Sequence, residues 1–64
     1  INMYYILTVE ECSPITYEFQ TKKEVNDFLN KFVEKYGSLN NDDNWIDHIF
    51  KGQKLFPKTK IKVK

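Results

Sequence analysis

"WIDHIFKGQKLF", residues 45–56, is the stretch on which the fold turns. Read as strands, Trp45 to Phe50 turns at Lys51-Gly52 and returns through Gln53 to Phe56. X-Gly between apolar runs is a hairpin signal, although Asn-Gly is its stronger form. Read as a helix, Asp42 or Asp43 caps it, Trp45, Ile46, Ile49 and Phe50 share a face, and Gly52 stops it. The hairpin is the better reading. Ile and aromatic residues suit strands, and the helix would have only about two turns. Pro57 then interrupts the return strand and belongs at an edge or a bulge.

Upstream lies "SLNNDDN", residues 38–44, a polar loop too short to separate two domains. The element before it carries the strongest local signals. "TKKE" reads as a capping box, with Thr21 accepting from the Glu24 amide and Glu24 reaching back to Thr21. Val25, Phe28, Leu29, Phe32, Val33 and Tyr36 then fall on one helical stripe. Asp27 and Lys31 are spaced for an i,i+4 pair. Gly37 supplies a left-handed C-cap. The pattern predicts a helix over 22–36, and its aromatic stripe reads as core.

Further upstream, "MYYILTV" at 3–9 is short, β-branched and aromatic, and apolar on both faces, as a central strand is. "EECSP" carries the turn. "ITYEFQ" alternates Ile15, Tyr17 and Phe19 against Thr16, Glu18 and Gln20, the mark of a half-buried strand. The chain therefore predicts a single α+β domain over 1–64. It is a small ββαββ unit, an antiparallel sheet with one helix packed across one face.

The chain has 64 residues. A core of this size rarely supplies more than about 3–5 kcal/mol without a staple. Cys12 is the one cysteine, so no intrachain disulfide forms, and one His with one Cys cannot close a zinc site. The core rests instead on five Phe, four Tyr and one Trp. Homodimerisation is a second way to supply missing burial. A lone thiol fits a reducing compartment, which predicts a cytoplasmic protein, in the host cytoplasm if viral. No apolar run reaches membrane-spanning length, and Met3 to Val9 is too short for a signal peptide.

Charge is polarised along the chain. Residues 1–50 hold four Lys and nine acids, whereas residues 51–64 hold six Lys and no acid. In "KTKIKVK", residues 58–64, Lys58, Lys60, Lys62 and Lys64 alternate with Thr59, Ile61 and Val63. Period 2 makes this the wet face of a strand, and edge lysines also deter edge-to-edge aggregation. The same lysines could track a phosphate backbone, and sheet aromatics could stack bases. Against that stand the absence of Arg, which reads guanine bidentately, and a net charge of only +1.

Three clusters invite chemistry and fall short of it. Asp42, Asp43, Asp47 and His48 do not have the spacing of an EF-hand loop. Glu10 and Glu11 beside Cys12 would raise the thiol pKa rather than activate it. The two glycines are fifteen residues apart and form no phosphate-binding loop. No catalytic residue, cofactor or metal site is assigned, and enzymatic activity is not expected.

Recognition of a macromolecule is left. Trp45 is the best single anchor. With Met3, Tyr5 and Leu7 toward the helix, Tyr4 and Ile6 face the other side of the sheet, where no second layer covers them. In style, short, Lys- and Asn-rich and Arg-free, the chain is similar to the small accessory proteins of phages and mobile elements that bind and modulate a host protein. The expected function is therefore a non-enzymatic protein-binding module, an inhibitor or regulator. Its interaction surface is Tyr4, Ile6, Trp45, Lys58, Lys60, Lys62 and Lys64, with a protein as partner. The alternative is a nucleic-acid binder using the lysine strand, and a third reading is a structural oligomer.

Overall fold

The computed structural model describes residues 2–53 and 62–63. Its frame is a three-stranded antiparallel sheet in the order β2-β1-β3, with one helix against one face. The strands are β1 (Asn2–Glu10), β2 (Ser13–Phe19) and β3 (Asn44–Gln53), and the helix is α1 (Lys22–Tyr36). The small α+β architecture expected from the sequence is present.

The reading of residues 45–56 as a hairpin is corrected. β3 does not turn at Lys51-Gly52 but runs on, with Gly52 opposite Met3 and Gln53 opposite Asn2. A primed hairpin turn needs positive φ at its centre, and Gly37 is the only described glycine with positive φ. β1 also begins early enough, at Asn2, to offer partners that far. Of the fourth strand in the expected ββαββ order only two residues are described. Two residues, Lys62–Val63, pair in parallel with β2 at Tyr17 and Glu18, on the sheet edge away from β3. The rest of the expected return strand lies outside the described residues.

The β1–β2 turn is tighter than "EECSP" suggested. Glu10 pairs with Ser13, so Glu11 and Cys12 alone form the turn, with φ of 51° and 68°. Two consecutive non-glycine residues in the left-handed region are costly, and this geometry favours Asn-Gly. Asn44 steadies it: its buried side-chain Oδ1 accepts the Glu11 N–H at 2.9 Å. Pro14 is accommodated because Val9–Pro14 follows the closing pair of a two-residue hairpin. Its missing N–H therefore points away from β1. Cys12→Gly is expected to raise stability by about 1 kcal/mol, read as a higher urea midpoint. An unchanged or lower midpoint would mean the turn carries no strain.

Register then fixes the faces, and it reverses the expected one. A two-residue turn sets Ile6 against Tyr17 and Tyr4 against Phe19. Partners share a face, so Tyr4, Ile6, Thr8 and Glu10 lie on the side of Ile15, Tyr17 and Phe19. The helix covers that side. Ile6 is 0% exposed and clusters with Tyr17, Phe19 and Val25, with Tyr4, Phe28, Leu29 and Ile46 packed around them. Tyr4 and Ile6 are thus part of the core side and not of an open face. The reverse face carries Met3, Tyr5, Leu7, Val9 and Glu18, and it is not bare either, because Met3, Tyr5 and Glu18 are buried.

A bulge in β3 adjusts the match. Leu7 pairs with His48 and Thr8 with Ile46, which leaves Asp47 as the extra residue. Ile46 and Ile49 consequently both fall on the helix side, while Trp45, His48 and Phe50 fall on the other.

The helix forms as its signals predict. Thr21 Oγ1 accepts the Glu24 N–H at 3.2 Å, and Glu24 Oε1 accepts the Thr21 N–H at 3.0 Å. Gly37, at φ 89°, donates its N–H to the Val33 carbonyl at 2.7 Å. The exposed ion pair is Lys23–Asp27 at 3.1 Å rather than the expected Asp27–Lys31, and at such exposure it contributes little. The loop that follows is shaped by its asparagines. Asn41 caps the Tyr36 carbonyl and accepts the Asp43 N–H.

Candidate functional site

Two features of the helix-facing side converge at the C-terminal end of α1. The first is a hydroxyl cluster on Glu10. Strand alternation brings Thr8 and Glu10 to the same face as Tyr17, and the last turn of the helix brings Tyr36 over them. Glu10 Oε2 accepts from Tyr17 Oη at 2.6 Å and from Thr8 Oγ1 at 2.7 Å, and Oε1 accepts from Tyr36 Oη at 2.8 Å. One carboxylate thereby ties β1, β2 and α1 together.

Partial burial pushes the Glu10 carboxyl up, but the hydrogen bonds from Tyr17, Thr8 and Tyr36, aided by the Lys35 charge, outweigh it and hold the carboxyl below its ordinary range. Burial and the Glu10 carboxylate push the Tyr17 phenol far up. The bond to Glu10 raises Tyr36 as well. An acid–base catalyst needs a pKa near the operating pH. Here the acid is strengthened and the phenols weakened, so all three move away from neutrality. The arrangement suits a clamp, and it leaves Glu10 a poor base and Tyr17 a poor nucleophile.

The second feature is a cleft of about 370 Å³ along the β2 flank of α1. Tyr17, Phe19, Phe28 and Phe32 line it, Glu10 and Tyr36 close one end, and Glu24, Asp27, Lys31 and Lys35 form its charged margin. The rings are in mutual contact: Tyr17–Phe28 centroids lie 4.5 Å apart, Phe19–Phe28 5.3 Å and Phe32–Tyr36 4.7 Å. Such edge and tilted pairs hold the walls in place. The result is an apolar trough with a charged rim, the usual anatomy of a site that takes one anchoring side chain.

The sequence-predicted surface is dispersed. Tyr4 and Ile6 lie on the covered side, as described above. Trp45 is half-buried opposite Val9 on the reverse face, and it bridges to Asn40. Lys58, Lys60 and Lys64 lie outside the described residues, and Lys62 is described only in its backbone pairing. Cys12 is exposed in the turn. His48 tilts against Phe50 on the reverse face. Among the described residues no group of three or more His, Cys, Asp or Glu could hold a metal ion, and no helix is long and apolar enough to cross a membrane.

The cleft and the hydroxyl cluster were missed in the sequence, although one signal for them was present. Thr8 and Glu10 continue the Tyr4–Ile6 alternation, so a polar pair ends an apolar face. Buried tyrosines need a hydroxyl partner, and Tyr17 and Tyr36 both sit on apolar stripes. Compared with known proteins, the chain matches no family model, and neither a curated protein nor a solved structure shows significant similarity.

Proposed function

We propose that the chain is a non-enzymatic protein-binding module, a small inhibitor or regulator of a host protein of the kind phages and mobile elements encode, acting in the host cytoplasm. The observation that supports this reading is the aromatic cleft beside α1. It is open to solvent, walled by rings already locked against one another, and rimmed by both signs of charge. Rigid walls lower the ordering cost of binding, and a mixed rim fixes the orientation of what enters. The partner presents an aliphatic or aromatic side chain to the trough, with polar neighbours that meet Lys31 and Asp27.

A photo-crosslinker placed at Lys31 tests this. In lysate of a candidate host it should capture one protein, identified by mass. Affinity for that purified protein should fall about tenfold or more with Phe28→Leu, and similarly with Lys31→Glu. Thermal melting should show both variants folded, since the first is a modest core change and the second is at the surface. Equal affinity in both variants, or recovery of nucleic acid alone, would overturn the reading.

A further inference from the structure

β3 is the outer strand of the sheet, and among the described residues only its first part is covered. Ile46 donates its N–H to the Leu39 carbonyl at 2.9 Å, and Asn40 bridges Trp45. Beyond that point five consecutive strand residues, Asp47 to Lys51, are all exposed. A strand in a packed sheet hides alternate side chains, so an unbroken exposed run means that neither face is covered there, and among the described residues no strand pairs with its outer side. Two of the five are large and apolar, Ile49 at 45% and Phe50 at 40%. The other large hydrophobics left exposed among the described residues are Leu39 and Val33. Leu39 borders β3, and Val33 lies one helical turn beyond Leu29, which packs on the same cluster as Ile46. Three of these four, Ile49, Phe50 and Leu39, thus lie on or beside β3, which is the pattern of a docking site.

The order of residues on that edge reads as its own complement. Asp47 and Lys51 stand two positions either side of Ile49. Antiparallel pairing with an identical strand about Ile49 sets Asp47 against the second copy's Lys51, and Lys51 against the second copy's Asp47. It sets His48 against Phe50, an aromatic pair, and Ile49 against itself at the two-fold axis. Opposite charges and aromatic pairs directly across are the contacts that stabilise a ladder. A two-fold axis normal to the sheet keeps both helices on one face, as a closed, isologous dimer requires. Moving the centre by one residue pairs Lys51 with Ile49 and loses both charge matches. We infer that the free edge of β3 is a self-association surface, joining two copies antiparallel with Ile49 against Ile49 into one six-stranded sheet.

The surface lies on the sheet edge away from the aromatic cleft, and the inference does not depend on what that cleft binds. The paired segment is short, so the dimer is weak and its population rises with concentration. Sedimentation equilibrium from about 10 µM to about 1 mM, spanning that affinity range, should show a monomer–dimer equilibrium. Asp47→Lys and Lys51→Asp should each weaken it about tenfold or more, because each creates two like-charge pairs across the axis. The double reversal, Asp47→Lys with Lys51→Asp, should restore it. All of these positions are exposed, so circular dichroism should show unchanged folding. Ile49→Cys in a Cys12→Ser background should form an intermolecular disulfide on mild oxidation, since facing Cα atoms in a ladder lie about 4.5–5.5 Å apart. A monomer throughout, a dimer indifferent to the single reversals, or a double reversal that fails to rescue would each overturn the assignment.

Discussion

Ile6→Ala is expected to cost about 2–5 kcal/mol, the range for deleting buried methyl groups without full collapse of the cavity. Ile6 is 0% exposed and lies at the centre of the cluster formed by Tyr17, Phe19 and Val25. A chain of 64 residues has a total stability of about 3–5 kcal/mol. The variant should therefore be largely unfolded at room temperature, with its far-UV circular dichroism already collapsed in the absence of urea. Ile49 offers the control. It is the cross-strand partner of Ile6 on β3, yet it is 45% exposed. Ile49→Ala should cost less than about 1 kcal/mol and leave the urea transition intact. Comparable losses at the two sites would mean that the helix does not cover the side of the sheet described here.

Glu10→Gln is expected to cost about 1–2 kcal/mol near neutral pH, because three hydroxyls lose a charged acceptor at a partly exposed site. The more discriminating readout is the pH profile. The folded Glu10 pKa is lowered, so the stability it contributes is complete above the ordinary carboxylate value. That contribution fades as pH falls from the ordinary value through the lowered one. Wild type and variant should therefore differ near pH 7 and converge as pH falls through the lowered Glu10 value, as urea midpoints at several pH values will report. At the alkaline end the sign is opposite. The Tyr17 pKa is raised, so its contribution is complete below the ordinary phenol range and is lost as pH climbs through the raised value. A gap between wild type and variant that stays constant down to low pH would show that the carboxylate's charge has no part in the clamp.

Local signals were legible, and the facing of strands was not. The helix was readable residue by residue, because Thr21, Glu24 and Gly37 each satisfy backbone groups that any helix leaves open. β2 was readable because its alternation is clean. β1 was not, since Met3, Tyr5 and Leu7 are as apolar as Tyr4 and Ile6, and composition cannot choose between two apolar faces. The choice belongs to the turn. A one-residue change in loop length swaps every side chain to the other side, and Glu11-Cys12 carries none of the Gly or Asn that announces a two-residue turn. The same limit hid the cleft. Its walls come from the helix flank and from β2, and they meet only once the register places Tyr17 and Phe19 beneath Phe28. At Lys51-Gly52 the error ran the other way, because a turn-like dipeptide was overruled by the partners that β1 supplies at Met3 and Asn2.

The extra residue at Asp47 makes β3 a two-phase strand. Before it, even-numbered side chains look toward the helix; after it, odd-numbered ones do. Straightening the strand with that residue kept in the ladder would rotate the downstream half by one step, sending His48 and Phe50 beneath the helix and Ile49 and Lys51 to the far side. Whether one residue is looped out of the ladder or taken into it therefore decides how half a strand is clothed, without changing a single amino acid type.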